Sequence, residues 1–177
     1  MSTTDVYQAL AAMIAYPRDR QELLDSYAVV ARHLQERGLT LPTAPFGETV
    51  TSSSLAELQE AYVALFDFNA ALAPYLGHHL YGDNQKKGTY LIGLKGEFRR
   101  FDFTPASNEL PDHLEILLRF LAHLEQHERP AFLRSQMLAG LHKLEQAFAQ
   151  RSDCPWAYTI AATGAICAAD CEEVTSC

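Results

Sequence analysis

Apolar side chains recur along this chain three and four residues apart, the period of helices buried on one side. Val6, Leu10, Met13 and Ile14 share one face of a helix predicted over 4–16, and Pro17 stops it. Leu23, Tyr27, Val30 and Leu34 do the same over 20–37, with Gly38 as a C-terminal stop. Residues 39–53 hold two prolines, a glycine and many hydroxyls; they read as the only long loop and the place for mobility. Ser54 and Glu57 have the spacing of a capping box, and the helix after it carries Leu55, Leu58, Tyr62, Leu65 and Phe66. A short helix is expected over 70–81. The stretch 86–101 contains "TYLIGL", which suits a strand, but Tyr90, Leu94, Phe98 and Phe101 keep a helical period and no neighbour offers a strand partner. It is expected to be a helix.

The helix predicted over 111–127 is the greasiest. Leu114, Leu117, Leu118, Leu121 and Leu124 form one stripe, widened by Ile116 and Phe120, so this helix should be central to the core. Residues 130–150 follow, with Pro130 near the start and Leu133, Met137, Leu141, Leu144 and Phe148 inward; a last helix fits 155–169, and 170–177 should fray. No repeat period is present. The pattern predicts one all-α domain over 1–177, built of seven or eight helices.

Composition narrows the function classes. The chain has 177 residues, 48% apolar and 20% charged, which suits one globular domain with a full core. Net charge is −8, from 14 basic and 22 acidic side chains, and the only tight basic pairs are Lys86-Lys87 and Arg99-Arg100. Nucleic acid needs a basic stripe and is not expected as a partner, whereas a basic protein segment suits this charge. The N-terminus has no basic region before its apolar run, and no apolar run reaches the roughly 18 residues of a membrane span. A soluble, cytoplasmic protein is expected. Cys154, Cys167, Cys171 and Cys177 all lie near the C-terminus, where they cannot staple the whole chain.

Candidate chemistry is sparse. His123 and His127 share a helical face, but Glu125 points to the far side, unlike the glutamate of a HExxH zinc site. "GDNQKKGTY" reverses the order that a phosphate loop requires. Adjacent His78 and His79 diverge by about 100° on a helix and rarely share a metal. The four cysteines match no standard zinc or iron–sulfur spacing; a thiol or metal-binding protein built on them is kept as an alternative. No nucleophile–base set can be named, so no catalysis and no cofactor are expected.

The start of the 111–127 helix raises a sharper question. Pro111 and Asp112 suit the first turn of a helix, where the N–H groups are free and the dipole is positive. Capping does not explain His113, whose cationic form is disfavoured there, nor does it require Glu109. Either this is plain helix-start chemistry, or an acid–imidazole pair beside an apolar surface holds an incoming basic segment.

"ELPDHLEILLRFLAHL" resembles the signature helix of the NarJ/TorD/DmsD-type chaperones, which assemble molybdenum-containing respiratory oxidoreductases. "ALAAMIAYP" is similar to that family's first helix, and "YVALFDFNAALAPYLGHHLYGDNQKKGTYLIGLKGEF" is similar to its NarJ branch; the likeness covers roughly 5–150 and leaves out the cysteines. The resemblance implies an all-helical chaperone without catalysis. It would bind the N-terminal segment of a catalytic subunit, or the apo subunit, until the molybdopterin cofactor is inserted and before export or membrane docking. Asp112 and His113 would contact the client, Glu109 and Pro111 would shape the site, and Tyr62, Phe66, Leu72, Leu76 and Tyr81 would wall a groove. "LFDFN" points first to nitrate reductase as client. The family includes monomers and homodimers. A generic helical adaptor is the remaining alternative.

Overall fold

The computed structural model describes residues 2–41, 46–151 and 154–173. Its α-helices are α1 (Thr3–Ile14), α2 (Arg20–Glu36), α3 (Phe46–Ser52), α4 (Leu55–Tyr62), α5 (Leu76–Tyr81), α6 (Gln85–Arg100), α7 (Leu114–His123), α8 (Arg129–Phe132), α9 (Leu138–Phe148) and α10 (Pro155–Glu173). One π turn, Val63–Asp67, continues α4, and another, Leu133–Met137, joins α8 to α9. Among the described residues no strand forms, and the single β-bridge pairs Tyr75 with His113. The all-α expectation holds, and α6 is a helix as its period predicts.

Local chemistry sets most boundaries. Ser2 and Asp5 form a capping box at α1, and Ser54 and Glu57 form the predicted one at α4. Asp19 caps α2 by accepting from the Gln21 N–H at 2.7 Å. The apolar stripes then sort the helices. α1 and α7 are the central pair: Leu10, Ile14, Leu114, Leu117, Leu118 and Leu121 are all fully buried. α2 packs on one side of α1, and α10 lies across α1, α3, α8 and α9.

Four expectations need correction. The segment 39–53 is not all loop: Phe46–Ser52 is helical because Phe46 and Val50 are buried, with Phe46 edge-on to Trp156. Residues 42–45 of that segment lie outside the described residues. The 170–177 tail does not fray at its start. The helix runs to Glu173, because buried Asp170 accepts from the Tyr7 hydroxyl at 2.8 Å and Cys171 is buried; residues 174–177 lie outside the described ones. The 70–81 helix begins only at Leu76. Finally, α7 is shorter than 111–127 at both ends, starting at Leu114 and stopping at His123.

Trp156 ties these layers together. Its indole N–H donates to the Met13 carbonyl at 3.1 Å, and its ring lies edge-on to Tyr62, Phe66 and Phe46. Trp156→Ala should lower stability by about 3–5 kcal/mol. Urea denaturation would measure it, and a loss below ~1 kcal/mol would show that α10 is not integral to the core.

Candidate functional site

Two short stretches clasp each other at the start of α5 and α7. The Leu76 N–H donates to the Asp112 carbonyl at 3.1 Å, and the Leu114 N–H donates to the Pro74 carbonyl at 2.8 Å. Between them the Gly77 N–H donates to the Asp112 carboxylate at 2.9 Å. Asp112 therefore caps α5, a helix whose own N-cap residue, Tyr75, offers no side-chain bond. The N-cap of α7 is His113, whose Nδ1 accepts from the Glu115 N–H at 3.3 Å. The sequence expectation is thus reversed: Asp112 serves the neighbouring helix, and His113, the residue that capping left over, is the cap.

The electrostatics follow from burial. Asp112 is completely buried, and its second oxygen has no hydrogen-bond partner among the described residues. Burial pushes its carboxyl above the ordinary range, against the pull of the Gly77 N–H. Burial also lowers the basicity of His113, although Glu109, Glu115, Asp112 and Asp67 all favour its cation. An accepting Nδ1 needs its lone pair, so the capping form is the neutral ring. The His113 ring stands edge-on to Tyr75 at 4.9 Å, and the Tyr75 hydroxyl donates to Glu109 at 2.5 Å.

Beside this clasp opens a cavity of about 690 Å³. Its walls come from the end of α1, the start of α2, the π turn after α4, the segment before α5, the loop 103–109 and the outer side of α7. Tyr16, Tyr62, Phe66, Tyr75 and Phe103 supply aromatic surface. The Tyr62 hydroxyl donates to the Ile14 carbonyl at 2.9 Å, and Tyr16, 43% exposed, stands edge-on over Tyr62. Asp19, Glu22, Asp67, Glu109 and Glu115 line the cavity against only Arg18 and Arg119 as fixed cations. Three of these acids are engaged: Asp19 caps α2, Glu109 holds Tyr75, and Glu115 pairs with Arg119 at 3.0 Å. Glu22 and Asp67 make no hydrogen bond or ion pair among the described residues, and both are exposed. A segment carrying apolar groups and a cation is the chemical complement of this lining.

The structure gathers Tyr62, Phe66, Glu109 and His113 in the cavity wall. Pro111 and Asp112 lie buried behind it, as part of the clasp. Leu72 and Leu76 are core residues away from the cavity, and Tyr81 packs against Tyr90. Sequence reasoning missed Tyr16, Glu22, Tyr75, Phe103 and Arg119. The first three sit at or near helix ends and Phe103 in an irregular loop, where no period marks a face. Cys167 and Cys171 are buried in α10, and burial pushes both thiols up, away from the reactive thiolate. Cys177 lies outside the described residues. Among the described residues no three His, Cys, Asp or Glu side chains cluster as metal ligands, and no helix is long and apolar enough to cross a membrane.

Residues 20–162 match the model of the family described as nitrate reductase delta subunit. The chain belongs to that family. It is 33% identical over 130 residues to the probable nitrate reductase molybdenum cofactor assembly chaperone NarJ of Bacillus subtilis, covering 71% of this chain and 70% of that one. It is 27% identical over 124 residues to the nitrate reductase molybdenum cofactor assembly chaperone NarJ of Escherichia coli K12, covering 67% of this chain but 52% of the relative. The nitrate reductase-like protein NarX of Mycobacterium tuberculosis is 27% identical over 160 residues, which is 89% of this chain and 23% of that much longer protein. The fold matches the crystal structure of an Archaeoglobus fulgidus protein assigned to redox enzyme maturation, with a TM-score of 0.61 at 16% identity, covering 99% of this chain and 96% of that one. The delta subunit match spans α2 to the first turns of α10 and so includes the clasp and most of the cavity wall.

Two outcomes test the clasp. His113→Ala should cost about 0.5–2 kcal/mol through the lost cap, while His113→Asn, which can cap, should recover most of it. Thermal unfolding of both variants reads this, and equal losses would remove the capping role. A carboxyl whose folded pKa is raised stabilises fully below its unfolded value of about 3.9 and loses that contribution as pH rises through the folded value. Wild type should therefore lose stability relative to Asp112→Asn as pH rises above about 4. A stability gap independent of pH in urea titrations would show that the Asp112 carboxyl ionises normally.

Proposed function

We propose that this chain is a cytoplasmic, non-catalytic assembly chaperone for a molybdopterin-containing respiratory oxidoreductase. In this reading the cavity holds the N-terminal segment of the catalytic subunit until the cofactor is inserted, before export or membrane docking. The observation that carries it is the aromatic cavity whose acids Glu22 and Asp67 stand unpaired among the described residues, in a chain of the delta subunit family. The names of the Bacillus and Escherichia relatives point to nitrate reductase as the client.

The binding step follows from the lining. An amphipathic helical segment lays its apolar face on Tyr16, Tyr62, Phe66 and Phe103, and its basic residues meet Glu22 and Asp67. Those two acids need no rearrangement to accept a cation, because no partner among the described residues holds them. The clasp fixes Tyr75 and His113 at the cavity edge, so the site is preformed and binding orders mainly the client. Occupancy hides the segment from other receptors, and its release frees the subunit. Glu109 sits at the mouth, where Tyr75 orients it.

A peptide of the first ~20 residues of the co-encoded catalytic subunit should bind with a dissociation constant well below millimolar. Glu22→Gln with Asp67→Asn should weaken it by about tenfold or more, which is ~1.4 kcal/mol, without changing the melting temperature. Calorimetric titration measures both. Unchanged affinity in the double variant would place the peptide elsewhere, and no binding by wild type would overturn the reading itself.

A further inference from the structure

One wall of the cavity is built unlike the others. Residues 104–109 run along it as irregular chain, and Pro105, Ala106, Ser107 and Glu109 line it. Both ends of this strap are anchored. Before it, Phe103 packs on Phe98, Phe120 and His123 at 5.2, 5.2 and 5.4 Å between ring centres, and its N–H donates to the Phe98 carbonyl at 2.8 Å. After it, the Leu110 carbonyl accepts from the His113 N–H at 2.9 Å. Between these anchors no backbone group of 104–109 is hydrogen-bonded to backbone among the described residues. The one hydrogen bond that reaches the strap runs from the Tyr75 hydroxyl to Glu109.

The closed strap also carries two costs. Asp102, where the chain leaves α6, has φ +52°, a left-handed conformation that residues with a side chain adopt rarely. Ser107 buries its hydroxyl oxygen without a hydrogen-bond partner among the described residues. A stranded hydroxyl is unfavourable, and opening would return it to water. A strap with one latch and two such costs lies close in free energy to an open form. Size argues that it must open. A helix about 10–12 Å across, rising about 5.4 Å per turn, fills roughly 420–610 Å³ with each turn. The cavity of about 690 Å³ therefore encloses little more than one turn. A client segment of ~20 residues has about five.

We propose that residues 104–109 are a gate on the cavity, latched shut by the Tyr75–Glu109 hydrogen bond, and that the client segment enters through the open form. This rests on the proposed function and deepens it. The other walls stay in place, and the strap alone moves. Tyr75 is a positioning residue: the clasp holds its ring edge-on to His113, and it acts on the client through Glu109. Once released, Glu109 joins Glu22 and Asp67 as an acid facing the client's cations. A segment with no cation to offer Glu109 leaves the latch free to close again, so the latch favours basic segments. It also lowers apparent affinity in proportion to the time the gate is shut.

The gate can be read in the full chain without any client. In Ser107→Cys the thiol takes the place of the stranded hydroxyl, so its alkylation, located by mass spectrometry, proceeds as the strap opens. Adding Tyr75→Phe, which keeps the ring and removes the latch donor, should speed that alkylation roughly three- to tenfold. Cleavage after Glu109 by a glutamate-specific protease should rise by a similar factor in Tyr75→Phe alone, which gives the same reading without the added thiol. Tyr75→Phe should also raise the association rate of the ~20-residue peptide roughly three- to tenfold and leave its dissociation rate unchanged. Alkylation and cleavage that ignore the latch variant would overturn the inference. So would an unchanged association rate with faster dissociation, the mark of a hydroxyl that touches the peptide directly. If the wild type fails to bind peptide, the proposed function falls, while alkylation and cleavage still decide the latch.

Discussion

The clasp between Pro74–Gly77 and Asp112–Leu114 holds the starts of α5 and α7 together beside the cavity. Two backbone hydrogen bonds and one carboxylate bond join stretches more than thirty residues apart in the chain. Each side starts a helix. The arrangement works only because residue 77 is glycine: a Cβ there would lie 2.7 Å from the Asp112 carboxylate and 3.0 Å from the Tyr90 ring. Tyr75, His113 and Glu109 are then placed at the cavity edge as a by-product of satisfying helix ends. Structure and the proposed recognition are thus not separate uses of this short motif. The same backbone that caps α5 and α7 also aims the side chains that face the cavity.

A buried carboxyl with one unpartnered oxygen is costly, and among the described residues Asp112 is such a group. It is tolerated because it meets two free N–H groups at the start of α5, that of Gly77 through its side chain and that of Leu76 through its carbonyl. The π turn at Val63–Asp67 adds a second local departure. Its wider turn, closed by the Phe68 N–H donating to the Val63 carbonyl at 3.2 Å, ends the helix so that Phe66 packs inward on Tyr62 and Trp156 while Asp67 stays in the solvent-facing rim. Both features sit next to the cavity rather than in the remote core.

The helices and the α7 core stripe were legible because a buried face repeats every three to four residues. The period even decided α6 correctly against its strand-like "TYLIGL". What failed was local. Phe46 and Val50 lie in a helix packed on α2 and α10, which no pattern within 39–53 reveals. Asp112 read as the cap of its own helix because its true partner, Gly77, is 35 positions away. Of the cavity wall, Glu109 and His113 stood out from the chemistry of the helix start, and Tyr62 and Phe66 entered as candidates through the family resemblance. Tyr16, Tyr75 and Phe103 did not, since they lie outside the periodic parts of helices and meet only in three dimensions.

The chain has a single tryptophan, and it lies directly beneath the cavity floor. Trp156 touches Tyr62 at 5.8 Å and Phe66 at 6.2 Å between ring centres, yet is itself only 1% exposed. The protein therefore carries an intrinsic fluorophore surrounded by Phe46 and by two of the aromatic rings of the cavity wall, Tyr62 and Phe66. Its emission should be blue-shifted, as for a dry indole, and any repacking of Tyr62 or Phe66 would be written into it. Events in the cavity can thus be followed in the unlabelled molecule, through a residue that holds the fold together and never meets the solvent.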